Sequence, residues 1–185
     1  MRKPAVVSLR GTSGSGKSTL AREIMKMHPV VLGMHSEGRK NPLCLICCSD
    51  DGDGPSLMVP GHYDIANGGV DTLPSLGVAY DLIETAIDAG HDVLYEGKNM
   101  SDGAKRVLAL HRAGKADVHV VYLDTPLDEC VARVRKRGHK IAKASIEKTM
   151  KKCQRDATAL RAAGVNVHVL SCGDALKKIR EVLKR

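Results

Sequence analysis

The chain has 185 residues, 43% of them hydrophobic and 27% charged, which suits one domain with a substantial core and leaves no length for a separate regulatory domain. With neither Phe nor Trp and only four Tyr, the core must be built from Leu, Val, Ile, Met and Ala, and no aromatic row exists on which nucleobases stack. A formal charge of +8 favours an anionic partner, no apolar run is long enough to cross a membrane, and six scattered cysteines without a secretory leader make a reducing cytoplasm the expected compartment.

Ala5 to Leu9 reads as a buried strand and is followed by Gly11-Thr12-Ser13-Gly14-Ser15-Gly16-Lys17-Ser18, a complete G-x-x-x-x-G-K-S phosphate-binding loop. Its glycines permit backbone conformations in which successive amide N–H groups wrap a phosphate. Lys17 adds a mobile positive charge, and Ser18 offers its hydroxyl to magnesium. A helix starting near Lys17, with Thr19 in its first turn and Leu20, Ile24 and Met27 at helical spacing, aims its positive N-terminal end at the bound anion. A nucleoside triphosphate, with magnesium, is therefore the expected ligand.

Pro29 to Met34 predicts a second short strand. Asn41 to Cys48 and Ser56 to Pro60 read as two arms of a hairpin, since the Asp50-Asp51-Gly52-Asp53-Gly54 run between them is rich in turn formers. That run lacks the spacing and the closing Glu of a calcium loop and reads as a solvated turn. Cys44, Cys47, Cys48 and His62 do not read as a zinc set, because a strand would point alternate side chains to opposite faces; inert, buried thiols are expected.

The polar segment that follows contains His62-Tyr63-Asp64, the Gly68-Gly69 pair and Asp71, and lies where an acceptor would be held if the loop holds the donor. Asp64 is a candidate base, Asp71 a candidate binder of hydroxyl or base-edge donors, and Tyr63 a candidate ring contact; Gly68 and Gly69 suit close approach of backbone to a ligand. Ser75 caps a predicted helix with Leu76, Ala79, Ile83, Ala86 and Ile87 on its buried face, and Gly90 ends it.

From there strands and helices alternate: strand Asp92 to Tyr95, helix Ser101 to Ala113, strand Val118 to Leu123, helix Pro126 to Arg137. This pattern predicts a parallel sheet covered on both sides. Glu96 ends its strand at the carboxyl edge, where open sheets bind ligands, and is the candidate to organise magnesium or take a proton; Asp124, ending the next strand, is second choice. Thr125 is a predicted N-cap with Pro126 at the first helical position and Asp128 and Glu129 facing the helix dipole. Arg133 and Arg137, four apart, share a helix face and can grip a triphosphate, whereas Arg135 and Lys136 read as solvent-facing. The basic bridge Gly138 to Lys143 leads to a long helix with Ile146, Met150, Cys153, Ala157 and Leu160 on one face, then a strand, Val165 to Leu170, and a helix from about Asp174 to Leu183. No internal repeat is present.

Together the Gly11 to Ser18 loop, the strand-end Tyr95-Glu96-Gly97 and the Arg133 to Arg137 cluster resemble the P-loop nucleoside and nucleotide kinase superfamily. The resemblance implies an α/β, three-layer fold over residues 1–185 with about five parallel strands. It also implies a β-hairpin and acceptor insert at about 41–73, a short basic lid at about 133–145, and ATP with magnesium as donor. Gly61-His62-Tyr63-Asp64 followed by Gly68-Gly69-Val70-Asp71 further resembles phage-encoded small kinases, including those that phosphorylate 5-hydroxymethyl-deoxyuridine in DNA. That resemblance implies a hydroxymethyl acceptor on a base already in DNA, which would account for the basic charge through phosphate contacts and act in the host cytoplasm. A free nucleoside, nucleotide, sugar or antibiotic as acceptor, and a nucleotide-dependent switch or nucleic-acid-binding ATPase, are the alternatives.

Overall fold

The uninterrupted apolar run that opens the chain forms β1 (Ala5–Arg10), in the interior of a seven-stranded sheet ordered β2-β3-β4-β5-β1-β6-β7. The computed structural model describes residues 2–48, 56–64, 68–97 and 103–183. Strands β4 (Leu57–Pro60), β5 (Asp92–Glu96), β6 (Asp117–Leu123) and β7 (Asn166–Leu170) run parallel to β1. The side chains of β1, β4, β5 and β6 are mostly buried on both faces, which is why these strands read as apolar runs instead of alternating ones; β7, at the sheet edge, is only half-buried or exposed. β2 (Val30–Met34) and β3 (Cys44–Cys48) extend the sheet antiparallel beyond β4.

The hairpin arms are therefore part of the sheet: β4 is one of the five parallel strands, and only β2 and β3 are additions to its edge. The predicted turn at 50–54 and the start of the helix predicted from Ser101 lie outside the described residues.

Helices α2 (Leu76–Asp88), α3 (Gly103–Ala113) and α5 (Lys143–Ala162) contribute to one face, where Ile83, Val93, Val107, Val120 and Leu160 form a core; α1 (Lys17–Met25) and α6 (Cys172–Leu183) contribute to the other, around Val7, Leu9, Ile24, Leu94 and Ile179. The three layers and aliphatic packing follow the sequence. Cys44 and Cys47 enter opposite cores, as strand alternation requires, and burial pushes the Cys47 thiol up to about 12.

Two local readings are corrected. Met27, expected on the buried face of the first helix, lies beyond its end at Met25 and is exposed, while Met25 is buried instead. Thr125 does not cap α4 (Leu127–Lys136): the cap position falls on Pro126 with no side-chain cap, and Thr125 Oγ1 donates to the carbonyl of Ser15 at 2.9 Å. The hydroxyl is spent on bracing the phosphate loop.

Asp92 fastens the start of β1 by accepting from the Ala5 amide at 2.7 Å and from Arg2 at 2.6 Å. Three of the four tyrosines gather about Arg10, whose guanidinium lies 5.8 Å from the Tyr95 ring centroid; Tyr80 meets Tyr95 edge-on at 6.4 Å, and Tyr122 is the register partner of Arg10. No helix among the described residues is long and apolar enough to cross a membrane.

Candidate functional site

At the carboxyl edge of the parallel strands, the segments after β1 and β4, the end of β5 and the segment spanning α4 and α5 converge on one cleft. It is lined by Ser13, Gly14, Gly16, Lys17, Ser18, Gly68, Asp71, Glu96, Val134, Arg137, His139 and Ile141. Adjacent parallel strands that send their connections to opposite faces open such a crevice at this edge.

The loop takes its shape from its glycines. Gly14 has φ 83° and Gly16 has φ 103°, a region that side chains disfavour, and a Cβ on Gly14 would strike the Cys130 carbonyl of α4. The first turn of α1 has no acidic residue and no side-chain cap, so its N–H groups and the helix dipole are available to an anion. Thr12 and Ser15 brace the loop from beneath: Thr12 Oγ1 donates to the Ile146 carbonyl at 3.2 Å, and the Ser15 carbonyl accepts from Thr125 and, at 3.4 Å, from Cys172 Sγ. Thr19 is exposed on α1.

Lys17 is buried and donates to the carbonyls of Gly11 at 3.0 Å and Thr12 at 3.1 Å. Burial lowers its pKa, with Glu96 pulling it back upward. Glu96, also buried, accepts from Ser18 Oγ at 2.7 Å. Its pKa is raised because burial outweighs Lys17 and the Ser18 hydrogen bond. Hydroxyl and carboxylate together offer hard oxygen donors, a set suited to magnesium, which needs only one or two protein ligands beside phosphate oxygens and water. The structure thus brings together Lys17, Ser18, Glu96, Asp71 and Arg137.

Other candidates stand elsewhere. Asp64 does not line the cleft: its side chain is 78% exposed and lies 3.3 Å from His62 Nδ1. Tyr63 presents no open ring face, since it is 8% exposed, packs against Gly68 and has the Arg22 guanidinium 5.6 Å from its centroid. Arg22 Nη2 also donates to the Tyr63 carbonyl at 3.0 Å, fastening the segment after β4 to α1. Arg133 grips the loop from outside the cleft, donating to the Gly14 carbonyl at 3.3 Å and pairing with Glu129. Asp124 is exposed, and Lys143 is engaged by Asp128 at 2.8 Å.

Sequence reasoning missed the walls Val134, His139 and Ile141 and the tie made by Arg22. The last was detectable, because Arg22 falls one helical turn after Ser18 and so shares its face. The Thr12–Ile146 tie was not, since it spans 134 positions.

Gly68 and Gly69 differ in what they permit. Gly69 has φ 73°, and a Cβ there would strike the Glu96 carbonyl and come within 3.1 Å of Tyr63 Oη. Gly69→Ala is expected to cost about 2–4 kcal/mol, combining left-handed strain with overpacking. Thermal unfolding should show a midpoint lower by at least about 5 °C, and a midpoint unchanged from wild type would contradict this packing.

No protein-family model matches the chain. A curated relative, the 5-hmdU DNA kinase of Pseudomonas phage PaMx11, is 37% identical over the whole of both chains. The bifunctional enzyme NodQ of Rhizobium tropici is 29% identical over 71% of this chain, which spans 18% of that protein. Among solved structures, a deoxyadenosine kinase from M. mycoides superposes with a TM-score of 0.50 at 13% identity, covering 97% of this chain and 98% of the other; at that identity the likeness concerns the fold.

Proposed function

Because the chain belongs to the family of the phage 5-hmdU DNA kinases, we propose that its acceptor is the hydroxymethyl group of 5-hydroxymethyl-deoxyuridine in DNA and its donor is ATP with magnesium. The chain is a phosphotransferase, which sets aside the switch and ATPase alternatives. The observation that carries the acceptor is the full-length identity to a kinase named for that nucleotide. The cleft supports it by setting Asp71 and Glu96 opposite a phosphate loop.

In this reading the amides of Ser13 to Ser18 and the Lys17 ammonium hold the triphosphate. Ser18 and Glu96 would hold magnesium, which would offset phosphate charge. The acceptor oxygen attacks the γ-phosphorus, the bond from that phosphorus to the β–γ bridging oxygen breaks, and ADP leaves. Asp71 orients the attacking hydroxyl and receives its proton. Arg137 neutralises charge on the transferring group from the α4 side, while Arg133 steadies the loop through the Gly14 carbonyl. A base inside a duplex must be flipped out or presented unpaired to reach this edge. The host cytoplasm is the proposed place of action.

These two arginines separate experimentally. Arg137→Ala should lower kcat about 10- to 100-fold, as expected for losing one charge-assisted contact to the reacting group, with little change in stability. Arg133→Ala should instead raise KM for ATP more than it lowers kcat. The same kinetic split for both variants would refute the separate roles.

The acceptor is tested by incubating the protein with magnesium and γ-labelled ATP beside DNA containing 5-hydroxymethyluracil, unmodified DNA and free nucleosides. Digestion of the DNA then identifies the labelled species. Label on the modified base in DNA supports the reading, and label only in a free nucleoside overturns it in favour of a small-molecule kinase.

A further inference from the structure

The cleft spans the carboxyl edge from β4 to β6, and the strand order places a basic element on each side of it. On one side is the turn from His35 to Leu43. Because β2 runs antiparallel to β3, and β3 antiparallel to β4, the end of β2 at Met34 reaches the same sheet edge as the phosphate loop. The turn is fastened to the acceptor segment twice: the Gly61 amide donates to the Leu43 carbonyl at 2.7 Å, and Arg39 Nη2 donates to the Thr72 carbonyl at 3.0 Å. Lys40 is left exposed beside it.

On the other side, Val134 of α4 and Arg137 just after it line the cleft wall while Arg135 and Lys136 remain exposed. Neither these two residues nor Lys40 has a carboxylate partner among the described residues. Several lysines on other faces are neutralised within their own helices, such as Lys26 by Glu23, Lys151 by Glu147 and Lys178 by Glu181. Uncompensated positive charge therefore lies on both sides of the cleft along the sheet edge, as it also does at Lys148 and Arg155 of α5.

We infer that Lys40 of the β2–β3 turn and Arg135 and Lys136 of α4 form a two-sided DNA-backbone clamp, holding the phosphates on either side of the nucleotide that enters the cleft. The inference rests on the DNA reading above and deepens it. A free nucleoside lacks flanking phosphates and gains nothing from such a clamp, whereas a polymer engages both sides at once. The contacts position the strand without reading its sequence. Each phosphate contact made by Lys or Arg releases counterions, so the clamp makes binding steeply salt-dependent.

The test compares wild-type protein with the Lys40→Glu, Lys136→Glu double variant, neither residue having a part in the transfer chemistry. Steady-state phosphorylation of a single-stranded oligonucleotide containing 5-hydroxymethyluracil is measured across a salt series. The double variant is expected to raise KM for the oligonucleotide at least about tenfold at low salt and to flatten the dependence of log KM on log salt. Its kcat at saturating DNA and its KM for ATP should stay within about twofold of wild type. Unchanged oligonucleotide KM and salt slope overturn the clamp while leaving the acceptor reading intact. Wild-type protein that leaves the oligonucleotide unlabelled overturns the acceptor reading, and the clamp with it.

Discussion

Lys17→Ala is expected to reduce phosphoryl transfer by about 10³-fold or more while leaving the fold intact. The side chain is the cleft's buried ammonium, 8% exposed, and its hydrogen bonds go to the loop carbonyls of Gly11 and Thr12. Reaching phosphate oxygens requires exchanging those acceptors for stronger, charged ones, a change that favours the bound and reacting states. Removing one preorganised donor to developing charge typically costs 10²- to 10³-fold, and here the lost donor is also a full charge.

Stability should move differently. Burial lowers the Lys17 pKa, so holding the charged amine is a cost in the ligand-free protein. That cost is present below the lowered folded pKa and disappears above the unfolded one, so at neutral pH the charge is destabilising. Lys17→Met, which keeps the stem and drops the charge, is therefore expected to unfold at an equal or higher temperature while sharing the activity loss. Single-turnover labelling and thermal unfolding of both variants check this, and wild-type-like turnover in either would remove Lys17 from the mechanism.

Much of this arrangement was legible in the sequence because its determinants are local. The glycines of the loop, the apolar runs of β1, β5 and β6, and the strand-end position of Glu96 each express a constraint felt within a few residues. What escaped was set by distant contacts. The Thr125 side chain looks like a helix cap in its own neighbourhood, yet it serves a carbonyl 110 positions away. Asp64 and Asp71 have the same chemistry and sit in the same polar segment. Only the pairing of His62 with Gly69 across that segment, and the 3-10 turn Val70–Thr72 after it, carry Asp71 into the cleft and leave Asp64 facing solvent. Likewise β4 is the antiparallel hairpin arm of β3 that the sequence suggested, but its second pairing, parallel to β5, was hidden. Its parallel partner β5 begins only after an intervening helix.

Glu96→Gln is expected to lower kcat by about 10²- to 10³-fold, within the range for removing a positioned carboxylate. The amide keeps an oxygen that accepts from Ser18 but surrenders the negative charge that suits magnesium. Asp64→Asn, at a side chain outside the cleft, should change kcat by no more than about twofold, close to the usual neutrality of surface positions. The pH profiles should differ as well. Burial raises the Glu96 pKa, so wild-type kcat/KM should fall as pH drops through a value above the usual carboxylate range, and the Gln variant should lose that acidic limb. For stability the sign is opposite: a carboxyl whose folded pKa is raised contributes most when protonated, and that contribution is lost as pH rises through the folded value. At neutral pH the ligand-free Gln variant should therefore be as stable as wild type or more so, yet gain less thermal protection from magnesium and ATP. Equal protection of the two proteins, with a wild-type acidic limb retained in the variant, would take Glu96 out of the metal site and make Asp71, the other carboxylate lining the cleft, the next residue to test. The carboxylate is thus held against its own solvation preference, and under the proposed mechanism that cost would be recovered on binding metal and nucleotide.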